Sequence, residues 1–307
     1  MKKRNSLIEL FRFLFAMNVV IGHGLFPVDT GHFGPDRISV EFFFILSGFL
    51  FYHLLDKLKD MKATEAVKRT FITKLKPLLI PMLIGMASNG VLNVLSDHTP
   101  KIEVFRYLWY IPAMLAIMVV YAAMRSLIKN DKVFWITVGT LCVVTTALRF
   151  SGNEELFYFD YIRSTAAVSL GMLMAKIPKL NFKRKAISWV ILLPIAAATF
   201  YIIYNSLAKY YIQYEAILDL VLYPWLIYVA FGIDFHFAPF DYLGALSFGI
   251  YAFQCPARLL AFIGMPSDWI PFGVIFAAAI TDDMIRRIIR RHKKKASLNK
   301  QESEPAK

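Results

Sequence analysis

Two apolar runs between Arg12 and Gly48, RFLFAMNVVIGH and RISVEFFFILSG, include Arg12, His23 and Glu41 where a lipid-facing sequence should hold no ionisable group. In hydrocarbon the backbone must satisfy its own N–H and C=O groups, so such runs form helices. Ionisable groups at that depth are costly and turn inward, where by default they mark a functional site. The feature therefore predicts a bundle of membrane helices with a polar interior.

The remaining composition points the same way. Of 307 residues, 57% are hydrophobic and 19% charged, and the mean hydropathy is +0.51, well above what a soluble domain of this size needs. A net charge of +13 suits nucleic acid in principle, but the lysines and arginines fall in short hops between apolar runs. They read as topology determinants, and no nucleic-acid partner is expected. Cys142 and Cys255 each lie within an apolar run, so neither a disulfide framework nor a metal site is indicated. The start, MKKRNSLIELFRF, has the basic opening of a signal peptide, yet Glu9 and Arg12 interrupt its apolar part and no small-residue cleavage site follows. It reads as a retained first helix.

A spanning helix needs roughly 20 mainly apolar residues. About ten such spans are expected, at 6–27, 38–56, 71–95, 105–127, 133–150, 156–175, 187–207, 213–232, 242–263 and 269–289. The alternation of charge supports the count. Lys2 to Arg4, then Lys57 to Arg69, Arg125 to Lys132, Lys176 to Lys185 and RRIIRRHKKK follow one another on alternate connections, while the intervening ones are poor in positive charge. The fold class is thus an all-α polytopic membrane protein of about ten helices with both termini cytoplasmic. Residues 1–292 form one membrane domain in a cell membrane, and 293–307 a basic, polar cytoplasmic tail expected to be disordered. GIDFHFAPFD, between the eighth and ninth spans, should be cytoplasmic but carries no Lys or Arg.

Within the first span Arg12 and His23 lie eleven positions apart, on one helical face and about 16 Å apart along the axis. Glu9 is one turn before Arg12, at pairing distance. If the first two helices are antiparallel, Glu41 sits at a depth similar to His23, where a carboxylate would orient the imidazole. Ser47 and Gly48 slim the second helix where it passes the first. Phe42, Phe43, Phe44 and Phe49 read as lipid contact and packing. Arg163, with Asp160, and Asp219 either line a cavity or pair structurally, and Trp109 suits either the interfacial aromatic belt or sugar stacking.

IELFRFLFAMNVVIGH, an arginine followed after ten residues by a histidine, resembles the signature of the acyltransferase-3 family of integral membrane acyltransferases, and SVEFFFILSGFLF resembles that family's second-helix motif. FITKLKPLLIP, LWYIPAMLAIMVVY and FDYLGALSFGIYAFQCP resemble its third, fourth and late motifs, so the likeness spans most of the chain and is weakest from about 130 to 235. The resemblance implies a ten-helix acyltransferase that moves an acyl group, usually acetyl, from cytoplasmic acyl-CoA to a hydroxyl of an envelope carbohydrate or glycolipid. By position it implies His23 and Glu41 as the catalytic pair. Arg12 is implied as a donor-binding residue, with Lys74 and Lys76 at the basic start of the third helix. Arg163, Asp160 and Trp109 would then line the acceptor cavity. Acyl-CoA enters as a co-substrate and no tightly bound cofactor is implied. Two departures stand out: Gln254 occupies a position where histidine is common, and Lys74 and Lys76 stand where arginines are usual. Lysine binds phosphate as a point charge and not as a fork.

The chemistry is compatible with that reading. Imidazole, with an unperturbed pKa of about 6.5, is a fitting general base for an acceptor hydroxyl. The rival class is a transporter or exporter of a small anion or glycolipid, which would also line a midplane cavity with Arg and His. It leaves the paired motifs of the first two helices unexplained.

Overall fold

The computed structural model describes residues 5–22, 35–76, 78–95, 108–153, 155–156, 159–178, 215–262 and 269–303, and every regular element among them is helical. In chain order these are α1 (Ser6–Gly22), α2 (Pro35–Leu55), α3 (Ala63–Leu75), α4 (Leu79–Leu95), α5 (Tyr110–Leu127), α6 (Asp131–Arg149), α7 (Asp160–Met174), α8 (Glu215–Gly232), α9 (Ala238–Phe262) and α10 (Trp269–Ser303). The expected seventh span, 187–207, lies outside the described residues. Among the described residues three segments are long and apolar enough to cross a bilayer: Tyr110–Leu127, Asp131–Arg149 and Glu215–Gly232. Ala63–Leu75 and Leu79–Val91, taken together as one broken span, make a fourth.

That broken pair corrects the expected third span. The chain turns by 70° between α3 and α4. The first piece is polar along much of its length, and it packs on α5 while α4 packs on α9.

α8 is irregular too. Pro224 falls inside it, and the preceding Leu218–Leu222 widen into a π turn. A wider turn relieves the contact between a proline ring and the carbonyl one turn back. The π turn also carries Asp219 into the protein interior.

Glycines set the closest helix crossings. At Gly48 a Cβ would lie 2.8 Å from the Val168 carbonyl carbon, and at Gly171 it would lie 2.8 Å from the Phe49 nitrogen. α2 and α7 are thus in backbone contact, as small residues allow. The expectation that Gly48 eases α2 past α1 is corrected: its neighbour is α7. The tight approach to α1 comes from Gly244 of α9, which abuts Glu9.

α1 and α2 run antiparallel. Asn18 donates to Ser39 Oγ at 2.7 Å, and Phe15 stacks on Phe42 with centroids 4.1 Å apart. The phenylalanine run of α2 is core and not lipid contact, since Phe42 and Phe44 are fully buried and Phe49 nearly so. Phe42 and Phe15 both meet Tyr223 edge-on.

One end of the bundle is stitched together by its connections. Asn5 caps α1, accepting from Leu7 N and Ile8 N at 3.1 and 3.2 Å, while its amide donates to Ala230 O and Ile233 O. Ser6 donates to Asp241 and accepts from Phe237 N, each at 2.7 Å. Asp131, beside the Asn130 cap of α6, pairs with Arg125 at 2.6 Å and Lys59 at 3.1 Å. Lys176 covers Trp135 at 4.4 Å, and Tyr228 donates to Pro178 O. The start of α1, the end of α2, the α5–α6 and α8–α9 connections and the end of α7 therefore share one side.

α10 differs from expectation at its far end. It continues to Ser303, through the stretch read from sequence as a disordered tail. Arg286 and Arg287 bind Asp282 and Asp283 one turn back, each at 2.6 Å, and the following Lys, Ala, Leu and Gln residues are good helix formers.

Candidate functional site

Four helices converge on a buried group of charges. Arg149, the last residue of α6, donates to Asp219 at 2.5 Å, Glu215 at 2.7 Å and Glu41 at 3.2 Å. Arg163, in the first turn of α7, donates through Nε to Glu41 Oε1 at 2.8 Å and through Nη2 to the same oxygen. The Arg163 guanidinium also covers Trp109 at 4.9 Å. All five charged residues are less than 5% exposed. Glu41, Glu215 and Asp219 each offer an oxygen within 4.8 Å of the others, the spacing of a cation site. Here Arg149 bonds to all three, so a guanidinium answers the charge that an ion would otherwise meet. Charge-assisted bonds of this kind replace the water that the groups give up on burial.

The other face of α2 borders a cavity of about 280 Å³. Val40, Phe43, Ser47 and Leu50 line it at helical spacing, opposite Arg12 of α1, Thr73 and Lys74 of α3, Tyr110 and Met114 of α5, and Ser247 and Tyr251 of α9. Arg12 Nη1 is held by Glu9 Oε2 at 2.8 Å, the pairing expected from their spacing. Lys74 Nζ lies 5.7 Å from the Phe51 ring centroid. The α1–α2 register sets Arg12 level with Ile45, so along α2 the order is Lys74 by Phe51, then Arg12 and Ser47, then Val40 near the Asn18–Ser39 bond.

The residues singled out from sequence divide between these two places. Arg12 and Lys74 line one cavity, whereas Lys76 is exposed and does not border it. Glu41, Arg163 and Trp109 meet in the ion cluster, and Asp160 opens α7 one turn before Arg163. His23 lies outside the described residues, as does any face it shares with Arg12. The expected match in depth between Glu41 and His23 draws no support from the register. Glu41 stands level with Ala16, six residues or about 9 Å short of Gly22, where α1 ends. Its Oε1 is committed to the two arginines.

Sequence reasoning missed Arg149 and Glu215. Arg149 reads as part of an outer connection because it ends its helix. Glu215 and Asp219 carried a usable signal, since like charges four apart on an apolar helix repel unless a cation lies against both. Tyr110, Ser247 and Tyr251 sit within recognised motifs but look like any interfacial aromatic or small residue until the cavity unites them. Gly244 and Ser247, in the late motif, serve respectively the crossing with α1 and the cavity wall.

A family model described as an acyltransferase domain matches residues 5–281. No curated protein and no solved structure matches the chain. The family match takes in every element from α1 into α10, the cavity and the ion cluster alike, and the chain belongs to the acyltransferase-3 family.

Proposed function

We propose that this membrane acyltransferase transfers an acetyl group from cytoplasmic acetyl-CoA to a hydroxyl of an envelope or exported carbohydrate, with His23 as general base. The observation that carries the reading is that Arg12 and Lys74, from α1 and α3, line one cavity that follows α2. Two cations there suit the phosphates of CoA, which hydrocarbon excludes. The cavity extends toward the end of α1 from which the chain continues to His23. The acceptor oxygen attacks the thioester carbonyl as His23 takes its proton. The C–S bond then breaks, and the imidazolium returns that proton to the thiolate, leaving an acetate ester and free CoA.

The test is transfer of labelled acetyl from acetyl-CoA by membranes holding equal amounts of parent or His23→Ala. Loss of a base should lower transfer at least 100-fold. Undiminished transfer would remove His23 from the mechanism, and a parent that transfers nothing from acetyl-CoA would remove the donor.

The same reading includes ten spans in a cell membrane with both termini cytoplasmic. It is supported by the stitched end of the bundle, where connections bearing Lys57, Lys59, Lys129 and Lys176 join the α8–α9 connection, which carries no Lys or Arg. A cysteine at Asp60 should react with an impermeant maleimide only after sealed, right-side-out vesicles are opened, and one at Ser151 should react before. Both native cysteines are buried, which keeps the background low. The reverse pattern would invert the topology.

A further inference from the structure

The Tyr110 hydroxyl sits between a thioether and a serine on the cavity wall. Tyr110 begins α5 and is largely buried, and its ring is fixed by Phe44 at 4.7 Å, Tyr251 at 5.8 Å and Phe43 at 6.1 Å. The hydroxyl donates to Met114 Sδ at 3.0 Å and is hydrogen-bonded to Ser47 Oγ at 3.2 Å, a bond in which either hydroxyl can be the donor. A thioether is a weak acceptor. With Ser47 as the donor in their shared bond, a carbonyl oxygen brought into the cavity would take the Tyr110 proton from the thioether at little cost to the protein.

The cavity specifies which carbonyl. Its walls combine apolar side chains, Leu46, Leu50, Met114 and Met118, with the hydroxyls of Ser47, Tyr110, Ser247 and Tyr251. Lys74, by Phe51, places a cation on the side of Tyr110 away from Val40, and Arg12 places one level with Ile45, beside Ser47. Such a channel fits a linear chain of methylenes broken by amides, with an anionic head at one end. It does not fit a sugar, which would leave the apolar walls facing hydroxyls. Ser47 is one turn from Phe51, against which Lys74 lies, and about two turns from Val40, so Tyr110 meets the middle of such a chain and not its tip.

We propose that Tyr110 is a donor-binding residue that exchanges its bond to Met114 Sδ for one to an amide carbonyl in the arm of acyl-CoA. This rests on the donor reading of the cavity given above. Tyr110 then sets the reach of the arm, while the nucleotide head is held separately at Lys74.

Binding to purified full-length protein tests this with two probes: acetyl-CoA, and adenosine 3′-phosphate 5′-diphosphate, which is the head without the arm. Tyr110→Phe should weaken acetyl-CoA about tenfold, the size of one neutral hydrogen bond, and leave the head probe unchanged. It should melt like the parent, since Phe keeps the ring contacts, and in turnover it should raise KM with little change in kcat. Lys74→Ala should weaken both probes. Unchanged acetyl-CoA binding by Tyr110→Phe, equal weakening of both probes, or a parent that binds acetyl-CoA no better than the head would each overturn the role of Tyr110. A parent that binds neither probe would overturn the donor reading with it.

Discussion

Replacing Arg149 by methionine should leave little folded protein. Arg149 bonds to Asp219, Glu215 and Glu41, and its loss takes one guanidinium from three buried carboxylates that approach within 4.8 Å, with Arg163 still bound to Glu41. Removing one partner of a buried ionic group costs about 3–5 kcal/mol, and each 1.4 kcal/mol is a factor of about ten in the folded ratio. The expected readout is loss of the monodisperse peak in detergent and a melting midpoint well below the parent's. Arg149→Lys should recover only part of this, because one ammonium cannot reproduce a planar fork reaching three acceptors. Parent-like melting of Arg149→Met would mean that the cluster is balanced by something other than these contacts.

Side chains at Gly48 and Gly171 should be equally damaging for a different reason. A Cβ at either position meets backbone of the opposing helix: Val168 C and Cα at 2.8 and 2.9 Å, or Phe49 N and Ile45 C at 2.8 and 2.9 Å. A side chain can rotate away from an intruding methyl, but a peptide unit moves only with its helix. Overpacking of a well-fitted site usually costs about 1–3 kcal/mol, and Gly171→Leu should exceed that range because both helices must separate. The effect should extend to activity, since α2 carries Ser47 and Val40 into the cavity. Gly139, whose Cβ would meet nothing within 4 Å, is the control, and Gly139→Ala should retain parent-like melting and transfer. Equal behaviour of Gly139→Ala and Gly171→Leu would show that the α2–α7 crossing is looser than its geometry.

The helical class and the positions of most described helices were legible because long apolar runs announce themselves by hydropathy, and among the described residues three of them are long and apolar enough to cross a bilayer. The Arg12–Glu9 pair was legible from spacing on one helix. Contacts between helices were not. Gly48 could slim α2 against any neighbour, and only the fold selects α7. Lys74 and Arg12 line one cavity across α3 and α1, and the direction of the 70° turn from α3 into α4 follows from no local rule. The aromatic run of α2 misled because phenylalanine suits lipid and protein interior alike. Arg149 was hidden by ending its helix, where an arginine ordinarily reaches water.

α2 bears the ion cluster on one face and the cavity on another, and this has a mechanical consequence. Turning the helix by a single residue step, 100°, would tear Glu41 from both arginines and drive Gly48 off Val168. α2 is therefore keyed against rotation in the manner of a shaft. A ligand sliding along its cavity face meets a wall already in its final setting, so little of the binding energy is lost to reshaping it.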